Sequence, residues 1–186
     1  MTTTAAPTLA SLTGSYSLDP THTRIGFVAR HAMVTKVRGA FNAFEGSAVL
    51  DFADPSRSSA TVSIDVTSID TRQAQRDEHL RTNDFFDAPT FPTITFASTS
   101  AQQVDESTFR LTGDLTIKGV TKPVSIDFEH TGAAKDPFGN VRVGFEGSTT
   151  IHRSDYGVTF NAALETGGVL VSEKIVLEFE ISAIKA

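Results

Sequence analysis

From Arg24 to Ser182 the chain alternates apolar and polar residues with a period of two, and it does so in about eight separate runs. Successive side chains of an extended strand point to opposite faces, so this period specifies strands with one apolar and one polar side. Ile25, Phe27 and Ala29 share a face, as do Phe44, Gly46, Ala48, Leu50 and Phe52 in the run Gly39 to Phe52. Val62, Ile64 and Val66 follow, then Ile94 and Phe96. The most regular run sets Phe109, Leu111, Gly113, Leu115 and Ile117 against Thr108, Arg110, Thr112, Asp114 and Thr116. Val124, Ile126 and Phe128 come next, then Val141, Val143 and Phe145, and last Ile175, Leu177, Phe179 and Ile181.

Short segments with turn chemistry separate most runs: Asp54-Pro55-Ser56, Val104 to Ser107, Lys118-Gly119-Val120 and Asp136-Pro137-Phe138-Gly139-Asn140. They leave no room for crossover helices, so neighbouring runs pair antiparallel. Several runs are long and carry glycine in phase with the apolar face (Gly46, Gly113, Gly147), which suits a tall barrel better than a sandwich. The fold expected is all-β: an eight-stranded antiparallel barrel over 14–186, with one or two short helices covering its ends. An eight-stranded barrel is wide enough to be filled by side chains or to hold one small ligand.

Composition removes several functions. The formal charge is −6, with no Lys/Arg cluster, which disfavours nucleic acid. With no cysteine there are no disulfides, thiolate nucleophiles or cysteine zinc sites. The 14 Phe against two Tyr and no Trp are apolar aromatic surface that needs no hydrogen-bond partner, in a packed core or on a ligand-facing wall. Residues 1–13 have no charge and no apolar stretch, and read as a flexible polar tail rather than a leader. No segment reaches the ~20 apolar residues of a membrane span, and the expected compartment is the cytoplasm.

Two stretches break the alternation. Thr71 to Thr82 is rich in helix formers, with Asp70 and Gln73 as a capping pair and Asp77 placed to pair with Arg81 one turn on. Phe85, Phe86 and Phe91 follow at once. This element is expected to close one barrel mouth, with Leu80, Phe85 and Phe86 turned inward and Arg76, Asp77 and Arg81 fixing it. The second stretch, Arg153 to Ser172, carries Tyr156, Phe160, Leu164 and Val169, too many apolar groups for a solvated linker. No nucleophile elbow, HExxH, Walker loop or dinucleotide fingerprint occurs, and no two of the five histidines have metal-ligand spacing. No metal site and no catalytic residue is predicted; were the chain an enzyme, Asp77 and His79 would be its acid/base candidates.

Several strings carry a resemblance: YSLDPTHTRIGFVARH at Tyr16 to His31, GAFNAFEG at Gly39 to Gly46, TRQAQRDEHLRTNDFF at Thr71 to Phe86, and FPTITFAS at Phe91 to Ser98. TGDLTIKGVTKPV at Thr112 to Val124, RSDYG at Arg153 to Gly157 and GGVLVSE at Gly167 to Glu173 complete them. In these the chain resembles the YceI-like, polyisoprenoid-binding, lipocalin-like family. Tyr16 stands where many members have Trp, and many members carry a secretory leader. The resemblance implies a non-catalytic barrel whose interior binds or transports a polyisoprenoid, quinone tail or other long lipid, with no covalent cofactor. Transient membrane contact and a homodimer are the further partners considered. By strand phase and lid position the expected ligand-binding residues are Ile25, Phe27, Phe44, Ile64, Phe86, Phe96, Leu111, Leu115, Phe128 and Phe179. The alternatives are a lipid- or quinone-modifying enzyme, or a filled barrel acting through its outer surface.

Overall fold

The computed structural model describes residues 8–186. In chain order the strands are β1 (Gly14–Leu18), β2 (Arg24–His31), β3 (Thr35–Phe41), β4 (Phe44–Leu50), β5 (Ser59–Asp65) and β6 (Ile69–Asp70). The helix α1 (Ala74–Arg81) precedes β7 (Thr93–Gln103), β8 (Thr108–Ile117), β9 (Val120–Lys135), β10 (Val141–His152) and β11 (Lys174–Lys185). Pairing runs β1-β4-β5-β7-β8-β9-β10-β11 and returns from β11 to β1. These eight strands, all antiparallel, make the closed barrel that the alternation predicts.

Strands β2, β3 and β6 continue the barrel wall rather than add a second layer. Along β11, β1 pairs with Ala183 to Lys185 and β2 takes over at Val176 to Glu180. Thus β1 and β2 are halves of one bent strand, as are β3 and β4, joined through Asn42-Ala43, and β5 and β6, joined by a 3-10 turn at Val66–Ser68. At the first break Thr23 stands in for a strand backbone: its Oγ1 donates to Ser182 O and accepts from Ser182 N. The half-strand β1, in GSYSL, lies upstream of the alternating runs and carries too few apolar residues for periodicity to mark it.

Three sequence expectations need correction. Residues 8–13 are not a free tail, because Leu9–Leu12 forms a 3-10 turn whose Leu12 is packed with Tyr16, Val143 and Ala183. The Tyr16 hydroxyl donates to Leu12 O at 2.5 Å, so a buried apolar anchor and a hydrogen bond hold the segment. The rest of the expected tail, residues 1–7, lies outside the described residues. Asp70 does not cap α1: its carboxylate accepts from Arg72 N and from Asn42 Nδ2. Nor does Asp77 pair with Arg81. Asp77 turns back to accept from Thr71 N (2.8 Å) and Thr71 Oγ1 (2.5 Å), and Arg81 donates instead to Thr67 O and Ile69 O. A left-handed residue, Arg72 (φ 66°), reverses the chain and brings Thr71 under the helix.

The apolar core has two parts. The larger lies toward α1 and includes Ile25, Ile64, Ile94, Ile117 and Tyr156; the smaller surrounds Leu12 and Val143 at the opposite end. No helix among the described residues is long and apolar enough to cross a membrane.

Candidate functional site: an apolar cavity through the barrel

Between the two core clusters the barrel is hollow. A cavity of about 310 Å³ is lined almost wholly by apolar side chains, from Phe109 and Phe145 near one end to Phe86 and Val158 at the other. That volume is at the lower end of the ~300–1,000 Å³ usual for small-molecule sites. Of the residues predicted from phase and lid position, Ile25, Phe27, Ile64, Phe86, Phe96, Leu111, Leu115, Phe128 and Phe179 lie on its wall. Phe44 does not. It follows directly on the Asn42-Ala43 break and, like several wall residues, packs against the larger core cluster.

Close packing of rings on glycines explains why so many Phe residues leave space in the middle. Phe27 on β2 lies across Gly39, its partner on β3, where a β-carbon would collide with the ring. Phe96 on β7 lies across Gly113 on β8 in the same way, 2.5 Å from where a β-carbon would stand. Glycine removes the side chain under each ring, so the ring lies along the wall rather than across the lumen.

The helix end is covered as the sequence predicts: Leu80, Phe85 and Phe86 all line the cavity. Beside them comes the Arg153 to Ser172 segment, organised by one buried cation. Arg153 donates from Nη1 to Val158 O and Phe160 O (both 2.8 Å), from Nε to Ser172 O (2.9 Å) and from Nη2 to Val171 O (3.5 Å). A planar guanidinium with five donors gathers several carbonyls that no lysine can reach together. Burial pushes its pKa below the ordinary guanidinium range, with Glu173 opposing. Val158, Val171 and Tyr156, held by this segment, are on the cavity wall. Nothing in the strand periodicity marks them; the signals were the apolar content of the Arg153 to Ser172 stretch and the RSDYG and GGVLVSE strings that bound it.

Tyr156 differs from the other buried tyrosine. It is 2% exposed, yet its hydroxyl has no hydrogen-bond partner among the described residues, whereas that of Tyr16 does. Burial, and then the charge of Asp155, raise its pKa, so it stays a neutral donor. The acid/base candidates lie elsewhere. Asp77 is buried against Thr71, His79 Nε2 meets Asp84 Oδ2 at 2.8 Å with its ring edge-on to Phe85 and Phe160, and neither residue is on the cavity wall. His130 is wedged between Phe52 and Phe145 with Nε2 unpartnered, and burial lowers its pKa. Among the described residues no three His, Asp or Glu side chains are grouped to hold a metal.

A closed eight-stranded barrel with an apolar interior defines a class, the lipocalin-like barrels. Within that class the YceI-like domain matches residues 16–183, and the chain belongs to that family. It is 40% identical over 170 residues to a UPF0312 protein of Staphylococcus aureus strain MSSA476, covering 91% of this chain and 95% of the relative. A UPF0312 protein of Ectopseudomonas mendocina is 37% identical over 166 residues, 87% of each chain. Among solved structures, the Campylobacter jejuni YCEI protein superposes with a TM-score of 0.73 at 30% identity, over 84% of this chain and 90% of that one. Burkholderia cenocepacia BcnA shares the fold at a TM-score of 0.78 and 24% identity, over 89% and 98% of the two chains. A polyisoprenoid binding domain from Saccharophagus degradans shares it at 0.70 and 16%, over 92% and 98%.

Proposed function

We propose that this protein binds a long apolar amphiphile, a polyisoprenoid chain such as a quinone tail or prenyl lipid, inside the barrel and carries it unchanged. The observation that carries this reading is the cavity itself: an elongated apolar hollow roofed by α1 and the Arg153 segment. A fold-mate described as a polyisoprenoid binding domain supports the ligand class. The placing of Asp77 and His79 off the wall favours carriage over catalysis. A prenyl tail leaving a bilayer is already out of water, so its transfer into such a cavity is close to thermoneutral, which lets a carrier both load and release. The tail lies along the Phe27 and Phe96 walls, and the oxygen of the head group takes the free Tyr156 hydroxyl.

Native mass spectrometry and organic extraction of protein from a lipid-replete host test this, with geranylgeraniol and squalene as added probes. The expected result is a stoichiometric apolar ligand and binding of both probes. One hydrogen bond is worth ~0.5–1.5 kcal/mol, so Tyr156→Phe should weaken geranylgeraniol roughly 2- to 12-fold and leave the headless squalene unchanged. Absence of any ligand together with failure of both probes to bind would overturn the carrier reading.

A further inference from the structure

We infer that the β2–β3 hairpin tip, together with the Leu164 to Val169 turn beside it, docks onto an anionic lipid bilayer. The purpose of the docking rests on the carrier reading; its evidence does not.

The hairpin closes through Ala32 and Met33, both left-handed (φ 51° and 65°), with Val34 N donating to His31 O at 3.0 Å. A β-turn with positive φ at both central residues strongly prefers Asn-Gly there. Here both positions carry β-carbons, and the tip also exposes its apolar groups, with Met33 61% and Val34 75% exposed. Folding selects against the first feature and solubility against the second. A function that uses an apolar tip accounts for both.

The tip does not stand alone. Ala32 N donates to Leu170 O at 2.8 Å, His31 bridges to Val171, and the Met33 sulfur sits where a β-carbon on Gly168 would be. This joins Val169, 41% exposed, to Met33 and Val34 in one patch at the α1 end of the barrel.

Charge identifies the partner. The chain carries a formal −6, yet from Pro20 to Phe44 it has no Asp or Glu and has Arg24, Arg30, Lys36 and Arg38. Arg24 and Arg38 face Glu178, each at 3.6 Å. Arg30 and Lys36 are exposed and meet no carboxylate among the described residues, and Arg30 Nη1 donates to Val34 O, which fixes a cation beside the apolar tip. Glu165 on the second turn is the one acidic residue between Val158 and Ser172. Screening limits each charge to about 8–10 Å, so this collar and not the net charge governs what the tip meets. Protruding apolar side chains flanked by Arg30 and Lys36 suit an anionic bilayer rather than a protein partner. Ala29 and Val171, on the two segments that carry the patch, line the cavity, so docking brings its wall to the membrane.

Flotation of the full chain with phosphatidylcholine vesicles, with and without phosphatidylglycerol, tests the inference. Wild type should bind the anionic vesicles and release with salt. Met33→Ser with Val34→Ser, and separately Arg30→Gln with Lys36→Gln, should each lower binding roughly tenfold or more. Phe138→Ser, which removes the 90% exposed ring on the β9–β10 turn at the opposite end, should change nothing. Ala32→Asn with Met33→Gly should raise the thermal midpoint while lowering vesicle binding, which separates docking from folding. Equal binding to both vesicle types, wild-type binding by the hairpin variants, or loss in Phe138→Ser would overturn the inference, as would a shift of wild type to a dimer through this patch without vesicle binding. Geranylgeraniol binding measured without vesicles reports the carrier reading separately. If it is absent while flotation behaves as stated, docking stands and carriage fails.

Discussion

At the scale of single residues, Arg142 holds two distant turns together. Its Nη1 donates to Asp19 Oδ2 at 2.5 Å, at the break between β1 and β2, and its Nε to Asp136 Oδ2 at 2.9 Å, in the β9–β10 turn. Hydrogen bonds from Thr21, His22 and Arg142 hold the Asp19 carboxyl well below the usual carboxylate range. Burial opposes the shift of Asp136, but donors from Asn140, Arg142 and Phe138 outweigh it and set the pKa at about 2. Both folded values lie under the ~3.9 of an unfolded Asp, so their contribution to stability is complete above about pH 4 and is lost as pH falls toward 2. Arg142→Gln removes the shared donor and raises both folded values. Circular dichroism titration should therefore show acid unfolding at higher pH in the variant; coincident midpoints would mean that the pairing contributes nothing. The types Asp, His and Arg were plain in the sequence, but no spacing rule links positions 19, 136 and 142.

At the scale of elements, the lid shows how a segment with little intrinsic stability is made rigid. An isolated eight-residue helix is far below the ~12–15 residues needed for marginal stability in water. Asp77 and Arg76 both grip Thr71, and Arg81 grips the turn before it, so polar side chains tie α1 to the barrel rim while Leu80 faces the cavity. Asp77→Ala leaves the buried Thr71 N–H without an acceptor and should cost ~1–3 kcal/mol in urea unfolding, against ~0–0.5 for an unanchored surface site. Arg153→Lys tests the second cover. With several carbonyls of the 158–172 segment released, limited proteolysis should cut there faster than in wild type, while the barrel strands stay resistant; unchanged cutting would show that the strands alone hold the segment. The string Thr71 to Phe86 marked the lid, and its inward Leu80, Phe85 and Phe86 were legible. The partner of Asp77 was not, because it depends on a left-handed turn at Arg72 that nothing in residue type announces.

At the scale of the molecule, space is kept inside the barrel where the Phe27 and Phe96 rings are laid over glycines. Alanine ordinarily suits a strand better than glycine, so Gly39→Ala should change stability by only ~1 kcal/mol or so. Its β-carbon nevertheless occupies the place of the Phe27 ring, which must swing into the lumen. Geranylgeraniol affinity should fall roughly tenfold or more, and Phe27→Ala in the same chain should restore part of it. If Gly39→Ala binds the probe as wild type does, the rings do not set the width of the cavity. This packing also explains why a count of 14 Phe left a filled and a hollow barrel equally open: the difference is ring orientation, not ring number.

What the sequence by itself determined is whatever repeats at short range. The period of two set the strands and which residues face inward, turn residues set the antiparallel order, and together they favoured an eight-stranded barrel over a two-sheet sandwich without excluding the sandwich. Tertiary structure decided the features that need residues far apart: the bending of strands into half-strands; the absence of Phe44 from the cavity wall; the gathering of Val158, Phe160, Val171 and Ser172 carbonyls around Arg153; a Tyr156 hydroxyl with no hydrogen-bond partner among the described residues. The physical reason is that periodicity reports the face of a strand, whereas a cavity depends on distances across the barrel, which arise only when β11 returns to β1 and the ring closes.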